Sequence, residues 1–162
     1  MKTLYLVRHA KSSWEFDLDD HDRPLNDRGL RDASKVSAHI ANELPKPDLM
    51  LSSTALRAKT TAFFFAKAYG ISEDEVQLNK TLYDFSGLKV VEVIKSCHNS
   101  VNYLMVFGHN NSMTTIVNAY GDLVIDNVPT CGFTAISFDI DNWMDLNLGK
   151  TTYTCTPKRL NL

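Results

Sequence analysis

The 162-residue sequence has no long apolar run, no large surplus of either charge and only three cysteines. No stretch approaches the roughly 18 apolar residues needed to cross a bilayer. The short apolar start is broken by Arg8 and His9 too early to form the apolar region of a signal peptide. These absences point to a soluble, cytoplasmic protein without a membrane partner. The formal net charge is -2 and the pI about 6.2. No basic field of the kind that holds nucleic acid exists, so any anion site must be local. Cys97, Cys131 and Cys155 are odd in number and widely spaced, which suits reduced thiols rather than a disulfide framework. No CxxC and no Cys/His pair at metal-ligand spacing occurs, and neither a metal nor a cofactor is expected. The acidic segment EFDLDDHD (15–22) lacks the glycine and terminal glutamate of a calcium loop and reads as a solvated loop.

With 44% hydrophobic and 22% charged residues, the composition is that of one globular domain over residues 1–162. Leu4, Tyr5, Leu6 and Val7 form an apolar run without alternation, as in a strand covered on both faces. DLMLSS (48–53) and NYLMVFGH (102–109) read alike, FTAISFDI (133–140) reads as a later strand, and TTYTC (151–155) gives a weaker strand signal. Helical patterns lie between them. Residues 26–44 place Leu30, Ala33, Ser37, Ile40, Ala41 and Leu44 on one face, with Asn26 as N-cap and Pro45 beyond the end. Residues 54–69, 87–97 and 110–120 give three more, with Gly70 and Gly121 as stops. Alternating strands and helices predict a three-layer α/β/α sandwich with a mostly parallel sheet.

In such sheets ligands bind beyond the carboxyl ends of the strands. The first predicted strand ends at Arg8 and His9, the second opens onto Ser52, Ser53 and Arg57, and the third ends at Gly108 and His109. If these strands are parallel, their ends share one edge and make a cationic pocket for a small dianion, most simply a phosphoryl group. The helix beginning after His109 would add free N–H groups. Arg57, in the first turn of its helix, opposes the macrodipole, which favours an anion partner. Cationic neighbours disfavour the imidazolium form, so His9 is expected to be neutral and nucleophilic. His21, His39 and His98 are read as structural; His39 lies on a predicted helix and His98 just after one, and neither has partners at ligand spacing.

LVRHAKSS (6–13) resembles the RHG/RHA signature of the histidine phosphatase superfamily, whose fold is that of phosphoglycerate mutase. SSTALRAKTTA (52–62) is similar to its S-P-x-x-R-A-x-x-T-A motif, with Thr54 where proline is common, and VFGHNNSM (106–113) to its G-H-N motif. DRPLNDRG (22–29) resembles the P-L-x-x-x-G element of the short SixA-like phosphohistidine phosphatases. The resemblance implies that His9 is phosphorylated during turnover and that Arg8, Arg57, His109 and Arg23 hold the phosphoryl group. It also offers Asp84, in TLYDFSG (81–87), as proton donor, and by proximity Ser12 and Ser13 as further phosphate contacts. Tyr83 is read as packing. The implied function is a metal-independent phosphatase acting on phosphohistidine carried by a protein. A phosphatase for small phosphomonoesters and a non-catalytic phosphate-binding module are the alternatives.

Overall fold

The computed structural model describes residues 1–160. In β1 (Lys2–Arg8), Leu4 and Leu6 face one side of the sheet and Tyr5 and Val7 the other. In β4 (Tyr103–Gly108), Leu104 and Val106 oppose Met105 and Phe107 in the same way. Neither strand has a solvated face, which is why both read as unbroken apolar runs. β2 (Leu49–Ser52) and β3 (Val76–Leu78) extend the parallel part beyond β4. β5 (Phe133–Phe138) runs antiparallel to β1, and β6 (Lys150–Cys155) antiparallel to β5. The sheet order is β3-β2-β4-β1-β5-β6.

Helices α1 (Asp27–Glu43) and α2 (Leu56–Tyr69) cover the Tyr5 face through Val36, Ile40 and Phe65. α3 (Leu88–Lys95) and α4 (Ser112–Tyr120) cover the Leu4 face through Val90, Ile94, Ile116 and Val117. Trp143 fills the same layer, its indole N–H donating to the Val101 carbonyl at 2.8 Å. Each fully buried Leu, Ile or Phe in these layers contributes roughly 1.5–3 kcal/mol. The fold is thus the three-layer sandwich that the sequence pattern suggests. Among the described residues, no helix is long and apolar enough to cross a membrane.

Asn26 caps α1 by accepting the Gly29 N–H at 2.8 Å, and Gly70, at φ 71°, closes α2 in the left-handed region. α4 starts at Ser112 rather than residue 110, because Asn110 Oδ1 caps it by accepting the Thr114 N–H at 3.0 Å. The Met113 N–H donates to the His109 carbonyl, so these first-turn donors are already taken rather than free for an anion. The parallel register pairs Arg8 with Gly108 and Ser52 with Phe107. The ends of β1, β2 and β4 therefore meet at one edge.

Candidate active site

The backbone of His9 is held from both sides. Its N–H donates to the Gly108 carbonyl at 3.1 Å, and its carbonyl accepts the Cys131 N–H at 3.0 Å. The next N–H, of Ala10, donates to Thr61 Oγ1 at 3.0 Å, and the Thr61 hydroxyl donates to the Arg57 carbonyl at 2.8 Å. The threonine of the second motif thus ties the turn after β1 to the first turn of α2. As a result the Arg57 Nε–H lies 3.4 Å from His9 Nε2.

The tautomer of His9 follows from its partners. Its Nδ1–H donates to the Ala10 carbonyl at 2.7 Å, which leaves the lone pair on Nε2 facing Arg57. Burial pushes this imidazole down to about 3, with Arg57, Arg8 and Arg23 adding to the shift and the Ala10 hydrogen bond opposing it. His109 is lowered to about 3 by burial first, then by His9 and Arg57. Ser53 Oγ accepts the Ala55 N–H at 3.2 Å and lies 2.8 Å from His109 Nε2. With the Ser53 hydroxyl donating to Nε2, the His109 ring proton falls on Nδ1. Among the described residues, His109 Nδ1 and Arg8 Nε are buried polar atoms without a partner. Both residues line the same pocket, and a buried donor without a protein partner is one that a bound anion satisfies.

Arg23 is delivered by a clamp. Ser12 and Leu25 form a β-bridge, the Ser13 N–H donates to the Pro24 carbonyl at 2.8 Å, and the Asn26 N–H donates to the Lys11 carbonyl at 3.0 Å. A Cβ on Gly29 would sit 2.0 Å from the Lys11 carbonyl oxygen, so only glycine allows this approach. The P-L-x-x-x-G element therefore holds the chain that carries Arg23. The Arg23 guanidinium donates to Ser12 Oγ at 2.8 Å and to the Ser13 carbonyl at 3.3 Å, and its Cζ lies 3.5 Å from the Trp14 ring centre. Ser12 acts on Arg23 in this arrangement. Ser13 Oγ accepts the Glu15 N–H instead.

Arg8, His9, Ser12, Arg23, Arg57 and His109 thus line one pocket of about 240 Å³. Asp84 does not join them. Its carboxylate is buried and accepts the N–H groups of Ser86, Gly87, Lys89 and Val90 and the Ser86 hydroxyl, at 2.8–3.2 Å. Burial raises its pKa, but these hydrogen bonds outweigh burial and hold it below the usual carboxylate range. Such a group caps α3 and has no proton to give. The carboxylate on the pocket wall is Asp20, inside the segment read as a solvated loop. Its Oδ2 accepts from Arg57 Nη2 at 2.8 Å and from the Tyr83 hydroxyl, and its Oδ1 from Arg23 Nε at 3.2 Å. Tyr83 also packs its ring edgewise on His109 and His21, so it is both packing and polar contact.

The arrangement puts a neutral imidazole, its unprotonated Nε2 facing Arg57, among three guanidinium groups, which is the equipment for accepting a group from a dianion. The profile of the histidine phosphatase superfamily, branch 1, matches residues 4–87. The chain belongs to the histidine phosphatase superfamily. The match carries Arg8, His9, Arg23 and Arg57, and the residue after β4, His109, lies outside it. An uncharacterized protein of Mycobacterium tuberculosis is 28% identical over 153 residues, covering 88% of this chain and 93% of its own. Among solved structures, the protein of Agrobacterium tumefaciens assigned as the phosphohistidine phosphatase SixA is 25% identical. It matches with a TM-score of 0.80 over 96% of this chain and 99% of its own. The protein histidine phosphatase SixA complexed with tungstate shares the fold, with a TM-score of 0.82 at 17% identity over 98% of this chain and 99% of its own. Within the superfamily, the chain is SixA-like.

Proposed function

We propose that this histidine phosphatase superfamily member removes the phosphoryl group from phosphohistidine on a protein, using His9 as transient acceptor. The observation that carries the reading is the unprotonated Nε2 of His9 beside Arg57, in a pocket with unpartnered donors. In the first step His9 Nε2 forms a bond to phosphorus as the substrate's N–P bond breaks. The departing imidazole, protonated on its other nitrogen, leaves neutral, so no separate acid is needed. Water then attacks the phosphorus of phospho-His9, and phosphate leaves with His9 restored. Arg8, Arg23, Arg57 and the Nδ1–H of His109 balance the phosphoryl charge, and the scheme calls on no metal or cofactor.

A protein substrate suits the openness of the site. The connections Gly70–Gly87 and Gly121–Gly132 carry no α-helix that could fold over the pocket. Trp14 and Phe85 on its wall are 76% and 46% exposed. The SixA assignment of the Agrobacterium protein, and the tungstate, a tetrahedral oxyanion, bound by the other SixA, support the same reading. The test is phosphate release in EDTA from a phosphohistidine-bearing protein and from an aryl phosphate, with wild type and His9→Ala. Loss of both activities in the variant, with the protein preferred by wild type, is expected. Activity surviving in His9→Ala removes the nucleophile, and preference for the ester moves the reading to small phosphomonoesters.

A further inference from the structure

Asp20 is the one carboxylate among the residues lining the pocket, and it holds the donors a phosphoryl group would need. Arg57 gives Nη2–H to Asp20 Oδ2 at 2.8 Å and Nη1–H to the Asp20 carbonyl at 2.6 Å, while Arg23 gives Nε–H to Oδ1 at 3.2 Å. The two arginine side chains are 3% and 8% exposed, but that of Asp20 is 44% exposed. The cations are fixed beneath and the anion sits on the solvent side, on a short 3-10 turn, Asp20–Asp22. Among the described residues, the Tyr83 hydroxyl is the carboxylate's side-chain partner besides the two arginines.

We infer that Asp20 is a resident counter-anion that occupies the arginines between turnovers and competes with the phosphoryl group and with product phosphate for them. This rests on reading the pocket as a phosphoryl site. A carboxylate offers one charge and two coplanar oxygens, whereas a phosphoryl dianion offers three tetrahedral oxygens, so the dianion displaces Asp20 and monoanions do not. Once phosphate is formed, the returning carboxylate weakens its hold. Asp20 is thereby a specificity-determining and product-releasing residue, at the expense of substrate affinity. The Arg57 contact to the Asp20 main-chain carbonyl does not involve the side chain, so the turn can stay docked while the carboxylate moves aside.

The experiment measures inorganic phosphate binding, by thermal shift and by inhibition of aryl phosphate turnover, in wild type, Asp20→Asn and Tyr83→Phe. Loss of the competing charge in Asp20→Asn is expected to tighten phosphate about tenfold and to lower KM similarly without raising kcat, as removing a close opposite charge frees both guanidinium groups. Tyr83→Phe, which removes only the hydroxyl, is expected to tighten phosphate about two- to threefold, and it serves if Asp20→Asn folds poorly. Unchanged or weaker phosphate binding in both variants, with wild type active, overturns this inference alone and makes Asp20 a residue that aligns the arginines. An inactive wild type whose Asp20→Asn variant still binds phosphate more tightly removes the catalytic reading and upholds the resident anion.

Discussion

The Nε–H of Arg57 lies 3.4 Å from Nε2 of His9, on the one ring nitrogen that carries no proton. A guanidinium does not give up its proton near neutral pH, so this contact holds Nε2 as an acceptor and opposes its protonation. His9 and His109 are both lowered to about 3. An unfolded histidine takes up a proton near pH 6.5, whereas these two refuse it until about 3. Their stabilising effect is complete above pH 6.5 and is lost as pH falls, by up to about 1.4 kcal/mol per pH unit for each histidine.

The stability curve should therefore slope between pH 6.5 and about 5, above the ordinary carboxylate values. Thermal or urea denaturation of wild type against the His9→Asn, His109→Asn double variant measures it. The variant is expected to give a much flatter curve in that window. An equal slope in both would mean that these imidazoles titrate normally.

Asp84→Ala should unfold α3 at its first turn rather than disable chemistry. The carboxylate serves the N–H groups of Gly87, Lys89 and Val90, and its loss is expected to cost on the order of 1–2 kcal/mol. Denaturation midpoints report the loss. Turnover of alkyl and aryl phosphates should fall by the same factor, because a residue that donates no proton cannot discriminate between leaving groups. A selective loss with alkyl phosphates would restore Asp84 as an acid.

Gly29→Ala places a methyl group 2.0 Å from the Lys11 carbonyl oxygen, where backbone must move. A destabilisation of about 1–3 kcal/mol is expected. Because the same clamp carries Arg23, KM for a phosphoryl substrate should rise more than kcat falls. Normal KM in a folded Gly29→Ala protein would uncouple the clamp from the pocket.

Much of this arrangement is legible in the sequence because it rests on short-range signals. Unbroken apolar runs mark β1, β2 and β4, and the polar residues that end them share an edge because parallel strands must. Asn26 and Gly70 announce helix ends through their own backbone preferences. β3 escapes because it has three residues with only Val76 buried, too short a stretch for any period to show. The direction of β5 escapes because an apolar run has no polarity. Asp20 escapes because nothing local separates it from Glu15, Asp17, Asp19 and Asp22; only the fold brings Arg57 and Tyr83 to it. For Asp84, position after the second motif misleads. The serine and glycine that follow it are those of a helix cap.

The placement of β1 in mid-sheet makes the site depend on long-range pairing. The strand that carries Arg8 has β4 and β5 as sheet neighbours, which pair Leu4 with Leu104 and with Ile136. His9, just beyond β1, therefore depends for its place on strands far along the chain. Contacts so distant along the chain close late and slowly. A chain in which β1 has not yet paired with β4 has the signature residues without their shared edge. The candidate site is thus a product of pairing between distant strands and of no single local segment.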